Sequence, residues 1–372
     1  MPPRLRQFLK ALVQDLRRNL VETVSFLGRN TIRWGAARAF YRGAWEADAV
    51  VIMERQETTL PVGADSLRVR SRLSQHLWQP WPIFWQKIPQ ARLVGKSLAV
   101  LNPAKTLMIE SVFGAKQCET DPSSTYLHLP PATKLAGNWT SLLSRWCPPD
   151  RINYYHWMMD GLPRLALLDQ FPADTGILVG QAPLPSFQRE TLEILGVLDR
   201  CRPTREEHLE IENYYFSSSP AMTGCDNPYA IRFLRERFLS AAAVLPQRFE
   251  KIYISRKGGG RSPLNEDEMI DILKADGWAI IQAEKLSFRE QIALFAGAQA
   301  VCAVHGAGLT NLLWSPPGCR VLELCAANFL NGCYESMAVY NGLDHRYLVF
   351  EADRQYRLKV DLGVFKEALK KL

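Results

Sequence analysis

The sequence has no run of 18 or more apolar residues, so it predicts no membrane-spanning helix. It also lacks internal repeats and low-complexity segments. Of its 372 residues, 47% are hydrophobic and 22% are charged, which is the composition of an ordinary globular protein. The length is sufficient for two domains.

Paired cysteine motifs are absent as well. The eight cysteines include no C-x-x-C pair, and zinc sites need such short spacings, so no metal site is expected. Cys302 and Cys325 lie in apolar runs, which favours reduced, structural thiols. No apolar segment followed by a small-residue cleavage site occurs at the N-terminus. The sequence therefore predicts a cytoplasmic protein without a signal peptide.

Excess positive charge is confined to the start of the chain. Residues 1–42 carry nine basic and two acidic side chains, which accounts for the whole formal net charge of +7. The balanced remainder argues against nucleic acid as a partner. Apolar residues recur at helical spacing in this segment, which predicts a basic amphipathic helix. Such a helix could pack on the body of the protein or make peripheral contact with the anionic inner face of a membrane.

The order of apolar segments predicts an α/β protein of two domains with additions at both ends. After residue 226, short strands alternate with helices through short connections, which predicts a parallel, doubly wound sheet. Such a sheet binds ligands at the carboxyl ends of its strands. The predicted parts are an amphipathic helical leader (1–45), an N-terminal α/β domain (46–225), a C-terminal Rossmann-like domain (226–350) and a tail helix (351–372).

Individual elements are predicted from apolar spacing. In the C-terminal domain the predicted strands are 252–255, 279–282, 300–304 and 320–324, and the predicted helices are 265–275, 288–297 and 307–313. The N-terminal domain shows apolar stretches at 49–53 and 98–101, a Trp- and Pro-rich loop at 78–89, helices at 154–170 and 187–195, and a strand at 177–179. Further helices are predicted at 227–245 and 365–372.

A strand that ends in a glycine-rich turn is the strongest functional signal. Small residues let a ligand approach the backbone, and the first N–H groups of the following helix form an anion site. A tight turn could also need glycine for its geometry alone. The turn is neither a dinucleotide fingerprint, because the third glycine is missing, nor a P-loop. The candidate residues are His305, Gly306, Ala307, Gly308, Leu309, Thr310 and Asn311.

A second candidate loop, S-R-K-G-G-G-R at 255–261, follows another predicted strand. Guanidinium groups form bidentate bonds to phosphate, and both loops leave the same edge of one sheet. We therefore expect Arg256 and Arg261 to face the crevice at the glycine-rich turn. The conservative interpretation is a solvated basic loop in which Asn265 caps the next helix and Glu266 completes its first turn.

Two carboxylates complete the candidates. Asp160 lies four residues after His156 in the helix predicted at 154–170, so the pair shares a face and forms either a general base or a salt bridge. Aromatic neighbours of His156 would form a sugar-stacking wall or part of the core. Glu323 ends an apolar strand, and a buried carboxylate needs a partner. That partner would be ribose hydroxyls, or else Arg256 or Arg320.

These motifs together resemble glycosyltransferase family 61, which includes capsular polysaccharide biosynthesis proteins and eukaryotic xylosyl- and N-acetylglucosaminyltransferases. The resemblance spans about 153–324, under half of the chain, and residues 1–150 show no independent match. The residues that carry it are His156, Trp157, Asp160, Leu162, Pro163 and Arg164, then Ser255, Arg256, Arg261, Asn265 and Glu266, then 305–311 and Glu323.

The resemblance implies a GT-B architecture of two facing Rossmann-like domains. The C-terminal domain would hold a UDP-linked nucleotide-sugar donor, and the N-terminal domain a glycan or lipid-linked glycan acceptor. It also implies inversion at the anomeric carbon, in polysaccharide biosynthesis, with no cofactor. The sequence contains no strict D-x-D motif. Arginines and a helix N-terminus could therefore replace a metal ion at the departing diphosphate.

In the expected single displacement, Asp160 or His156 takes a proton from the acceptor hydroxyl. The donor would be bound by Arg256, Arg261, Asn265, Glu266, the 305–311 turn and Glu323. The acceptor would be bound by Tyr155, Trp157 and Arg164. A dinucleotide-dependent oxidoreductase is one alternative, although the missing third glycine counts against it. A non-catalytic glycan-binding or scaffolding protein is the other.

Overall fold

The computed structural model describes residues 50–53, 67, 83–96, 98–104, 107–112, 129, 131–151, 153–219 and 226–372. The predicted leader at 1–45 lies outside these residues. The α/β prediction is confirmed, because two sheets with packed helices account for the described chain. None of the described helices is long and apolar enough to cross a membrane.

The first sheet contains seven strands in the order β1-β2-β7-β4-β5-β6, with β3 also paired to β2. Strands β1, β3 and β7 run antiparallel to β2, whereas β4 is parallel to β7 and β5, and β5 is parallel to β6. The sheet is therefore mixed, which differs from the all-parallel sheet of a Rossmann-like domain. Its strands are β1 (Val50–Met53), β2 (Ile83–Val94), β3 (Ala99–Leu101), β4 (Thr133–Ser141), β5 (Gly176–Val179), β6 (Cys201–Pro203) and β7 (His208–Ser217).

The loop predicted at 78–89 is wrong from Ile83 onward, because those residues begin the 12-residue strand β2. Proline cannot donate a ladder hydrogen bond, which is why the prolines suggested a loop. On one side of β2, strand β1 pairs with 83–85 and strand β3 with 92–94. Pro89 lies between these two pairings, where neither β1 nor β3 is its partner.

The second sheet contains five strands, all parallel, in the order β12-β11-β10-β8-β9. The four predicted strands are present, and the doubly wound prediction for this part is confirmed. Strand β12 was not predicted, because it begins with the polar residues 344–346. The strands are β8 (Lys251–Ile254), β9 (Ala279–Ile281), β10 (Ala300–Val304), β11 (Arg320–Ala326) and β12 (Asp344–Phe350).

The described helices mostly follow the predicted positions. Residues 154–170 are helical throughout, as one α-turn (Tyr154–His156), a π-helix (Trp157–Gly161) and a 3-10 helix (Leu162–Gln170). The further α-helices are α1 (Ser186–Ile194), α2 (Pro228–Phe238), α3 (Glu266–Ala275), α4 (Phe288–Ala296), α5 (Cys333–Asn341) and α6 (Leu362–Leu369), and a 3-10 helix spans Ala307–Trp314. Helix α2, predicted at 227–245, ends at 238, and α5 was not predicted.

The strand order of the second sheet reverses between β8 and β10. From β8 the chain passes to β9 on one side, and then crosses back to β10, β11 and β12 on the other. In such sheets the crevice at this switch point binds ligands. The loop after β8 contains Arg256 and the turn after β10 begins at His305. The topology therefore brings both candidate loops to the same crevice.

One apolar cluster joins the two sheets. It contains Trp157 and Phe171 from the first half and Phe288 and Trp314 from the second, all buried. A carboxylate of Glu190 on α1 also accepts a hydrogen bond of 3.0 Å from the Phe288 backbone N–H at the start of α4. The walls of the crevice are therefore held by packing that spans both halves.

Candidate active site

The Arg256 guanidinium lies directly against Gly306. A Cβ atom added at Gly306 would be 1.7 Å from Arg256 Nη1, so a side chain at this position would displace the guanidinium. The backbone of Gly306 is extended (φ 168°), so the restriction at this position comes from space and not from conformation. Arg256 Nε donates a 2.9 Å hydrogen bond to the carbonyl oxygen of Gly260 in the same basic loop, and this bond holds the guanidinium in place.

Arg261 approaches the same turn from the other side. Its Cζ atom is 5.4 Å from the centre of the Phe329 ring, and that ring is 5.6 Å from the His305 ring. Burial lowers the pKa of Arg256, and the positive charge of Arg261 lowers it further. Two neighbouring cations favour the binding of an anion beside them. The structure thus brings Arg256 to the crevice, whereas Arg261 lies near the turn beside Phe329 and is not among the residues that line the cleft described below.

Glu266 and Asn265 support the basic loop from within the domain. Asn265 does not cap α3, because its side chain exchanges two hydrogen bonds with the Val360 backbone, of 2.9 and 3.0 Å. The buried Glu266 carboxylate accepts from Tyr253 Oη (3.0 Å), the Arg256 backbone N–H (2.8 Å) and Ser262 Oγ (2.5 Å). Both side chains therefore shape the loop that carries the arginines.

Glu323 is fully buried between two histidines. His305 Nδ1 lies 2.5 Å from one carboxylate oxygen, and His345 Nε2 lies 2.9 Å from the other. The ion-pair partners are therefore histidines, and not Arg256 or Arg320 as the sequence suggested. Burial raises the pKa of Glu323, but the bonds from the two histidines outweigh it and hold the pKa near 2. The carboxylate thus fixes the orientation of His305 at the turn.

The glycine-rich turn divides between the crevice and the core. Ala307 and Gly308 line the crevice, whereas 309–311 are fully buried. Asn311 Oδ1 accepts a 2.8 Å hydrogen bond from the Tyr154 hydroxyl of the first half. Asn311 therefore connects the two halves, and the backbone of the turn is the part left facing a ligand.

A cleft of about 650 Å³ opens at the switch point. The second half contributes most of its wall, including Arg256, Gly258 and Gly308. The first half contributes Tyr154 and Phe187, whose rings meet edge to face with centres 5.3 Å apart. The cleft has the size of a small-ligand site and polar groups at one end.

On the first half, His156 and Asp160 form the predicted pair. His156 Nδ1 is 2.6 Å from Asp160 Oδ2, and the His156 side chain is 20% exposed whereas that of Asp160 is 0% exposed. The His156 ring stacks on Trp146, with ring centres 5.8 Å apart and planes 16° apart. Asp160 lies in the π-helix 157–161, a widened turn that occurs often at functional sites.

All three predicted acceptor residues are buried, and the Tyr155 ring belongs to the same apolar cluster as Trp157. Trp157 is fully buried and donates a 3.0 Å hydrogen bond to Thr191, and Arg164 donates one of 3.0 Å to the carbonyl oxygen of Asp160. Neither side chain presents a face to the crevice. The exposed aromatic surface beside His156 belongs to Trp146, which is 38% exposed. No spacing signal in the sequence could have selected Trp146.

Tyr334 connects the two histidine and carboxylate pairs. Its ring centre is 5.3 Å from that of His305 and 5.8 Å from that of Tyr155, whose ring centre is in turn 5.4 Å from that of His156. Sequence analysis missed Tyr334 because α5, which carries it, has no clear amphipathic pattern. In the described part of the chain, no group of three or more His, Cys, Asp or Glu residues is arranged to hold a metal ion.

Comparison with known proteins identifies one family. Residues 154–322, which include His156, Arg256 and His305, match the family model described as Glycosyltransferase 61. The resemblance seen in the sequence is therefore confirmed for this segment.

Similar proteins carry the name EGF domain-specific O-linked N-acetylglucosamine transferase. The protein of that name from Drosophila melanogaster is 33% identical over 138 residues, which cover 35% of this chain and 26% of the relative. Those from Canis lupus familiaris and Mus musculus are each 24% identical over 140 residues, with the same coverage. The chain thus matches about a quarter of the length of these relatives.

Proposed function

We propose that the protein is an inverting glycosyltransferase that moves a sugar from a UDP-linked donor to a glycan hydroxyl, in polysaccharide biosynthesis. The convergence of Arg256 with the Gly306 turn at the switch point of a parallel sheet is the observation that carries the proposal. A guanidinium beside exposed backbone amides is suited to bind a diphosphate. The Glycosyltransferase 61 match supports the same reaction class.

The diphosphate would leave without a metal ion in this proposal. Arg256, Arg261 and the N–H groups that follow Gly306 would neutralise the charge that develops on it. The mutual repulsion of the two arginines supports this role, because a bound diphosphate relieves it. The donor would lie in the cleft between the halves, in a GT-B-like arrangement.

Proton transfer would fall to His156. Because Asp160 is fully buried behind the imidazole, we assign the orienting role to Asp160 and proton abstraction to His156 Nε2. The acceptor oxygen would form the new bond to the anomeric carbon as its proton passes to His156. The electrons of the broken bond would leave with the diphosphate.

The names of the relatives suggest the first donor to test, UDP-N-acetylglucosamine. The acceptor in this proposal is a glycan or a lipid-linked glycan, at a cytoplasmic site. Contact of residues 1–42 with anionic lipid is part of the proposal, and flotation with anionic liposomes, with and without these residues, tests it.

A screen of nucleotide sugars for donor hydrolysis tests the function, with and without a chelator. We expect one donor to be hydrolysed at a rate that the chelator leaves unchanged, and NMR of the transfer product to show inverted anomeric configuration. Binding of glycans without any donor hydrolysis would favour the scaffold alternative. Calorimetric binding of NAD without binding of UDP would favour the oxidoreductase.

A further inference from the structure

Glu284 lies at the end of the strand next to the basic loop. Strand β9 ends at Ile281, and the short 3-10 turn Ala283–Lys285 follows it. In doubly wound sheets, the loop after the first strand binds phosphate, and an acid about 20 residues further on binds ribose hydroxyls. Here β8 and β9 are the first and second strands of the sheet, and they are adjacent and parallel. Glu284 therefore occupies the place of that acid.

Glu284 is exposed and lines the cleft that holds Arg256. Both residues line it, together with Gly258 and Gly308. Burial lowers the pKa of Arg256 and the charge of Arg261 lowers it further, whereas the negative charge of Glu284 acts in the opposite direction. Lys257 and Lys285 also line the cleft, so Glu284 is an acid among basic side chains there.

Glu284 differs from the other acids near the crevice because its side chain is exposed to the cleft. The carboxylates of Glu266 and Glu323 are buried, and their oxygens already accept hydrogen bonds from the protein. Among the described residues, none donates a hydrogen bond to the Glu284 carboxylate or forms a salt bridge with it. This carboxylate is therefore available to a ligand hydroxyl.

We propose that Glu284 accepts hydrogen bonds from the ribose hydroxyls of the nucleotide donor, and that this contact makes the cleft selective for ribonucleotides. The proposal rests on the proposed function, because it concerns the same donor. Phe187 and Tyr154, on the opposite wall, offer aromatic surface for the base. Glu323, which the sequence suggested for the ribose, instead orients His305.

Titration calorimetry of the full chain with UDP, 2′-deoxy-UDP and pyrophosphate tests the proposal. A hydrogen bond to a charged group corresponds to about a 10- to 100-fold change in affinity. We expect the unmodified protein to bind UDP at least about tenfold more tightly than 2′-deoxy-UDP. In Glu284→Ala, UDP affinity should fall to that of the deoxy compound. Pyrophosphate affinity should stay constant or rise, since a negative charge near Arg256 is removed.

The exposed Glu236 on α2 offers a matched control, and Glu236→Ala should leave all three affinities unchanged. Retained pyrophosphate binding shows that the Glu284→Ala variant is folded at the site. An unchanged ratio of UDP to 2′-deoxy-UDP affinity in Glu284→Ala would overturn the ribose contact while leaving the proposed function intact. Failure of the unmodified protein to bind any of the three ligands would overturn both.

Discussion

At the scale of single residues, two histidines are each held at Nδ1 by a buried carboxylate. Asp160 holds His156 on the first half, and Glu323 holds His305 on the second. A carboxylate at Nδ1 fixes the tautomer and leaves Nε2 to meet a substrate. The two pairs differ in exposure, because the His156 side chain is 20% exposed and that of His305 is 8% exposed. The more exposed pair is better suited to reach an acceptor.

Replacing Asp160 by Asn tests the orienting role. The amide keeps the volume but can present its NH₂ to Nδ1, which favours the wrong tautomer, so we expect kcat to fall at least about 100-fold. Donor affinity, measured by calorimetry, should stay within about twofold. Asp169→Asn, at an exposed position of the same helical segment, is the control. Turnover within about tenfold of the unmodified protein would place the base elsewhere.

Replacing Gly306 by Ala tests the contact between the turn and Arg256. The added Cβ would overlap Arg256 Nη1 and displace the guanidinium, so we expect UDP affinity to fall at least about tenfold. Gly260→Ala is the control, because a Cβ there meets nothing within 4 Å. Equal UDP affinities in the two variants would show that Arg256 does not hold the donor.

At the scale of elements, strand order determines where the site lies. Parallel strands β8 and β10 are neighbours, although β9 separates them in sequence, so their carboxyl ends form one crevice. Each loop alone is an ordinary basic or glycine-rich connection. Only their adjacency produces a cationic pocket with backbone amides on one side.

Helix α4 begins with a capping box whose contribution to stability can be tested. Ser287 Oγ accepts from the Glu290 backbone N–H, and the Glu290 carboxylate accepts from the Ser287 backbone N–H, which together form a capping box. We expect Ser287→Ala to lower the free energy of unfolding by about 1 kcal/mol, measured by urea denaturation. Ser186→Ala is the control, since no side chain caps α1 and Ser186 is exposed. Equal effects of the two substitutions would show that the capping box contributes nothing.

The sequence was most informative for elements with a strong apolar pattern. Strand β10 is A-V-C-A-V and every residue is buried, so its bounds were predicted correctly. Strand β12 begins with three polar residues and was missed, although 347–350 offered an apolar signal. The loop predicted over the start of β2 failed because the local preference of Pro was overridden by pairing with β7.

At the scale of the whole molecule, one apolar cluster runs through both halves, and the Tyr154–Asn311 hydrogen bond crosses between them. We expect Tyr154→Phe to lower the free energy of unfolding by about 1–2 kcal/mol, measured by urea denaturation. The exposed Tyr356 supplies the control variant, Tyr356→Phe, which should change it by less than about 0.5 kcal/mol. Because the core is shared, unfolding should show a single transition, and two separate transitions would contradict this view.

The sequence by itself determined the chemical character of the two loops and the parallel sheet behind them. Charge, glycine spacing and apolar runs are local properties, so Arg256, Arg261 and the 305–311 turn could be selected without coordinates. Tertiary structure alone decided which side chains reach the crevice. It buried Trp157 and Arg164 in the core, exposed Trp146 and Glu284, and paired Glu323 with His345 from an unpredicted strand. Burial and pairing depend on contacts between residues far apart in the chain, and no local pattern encodes them.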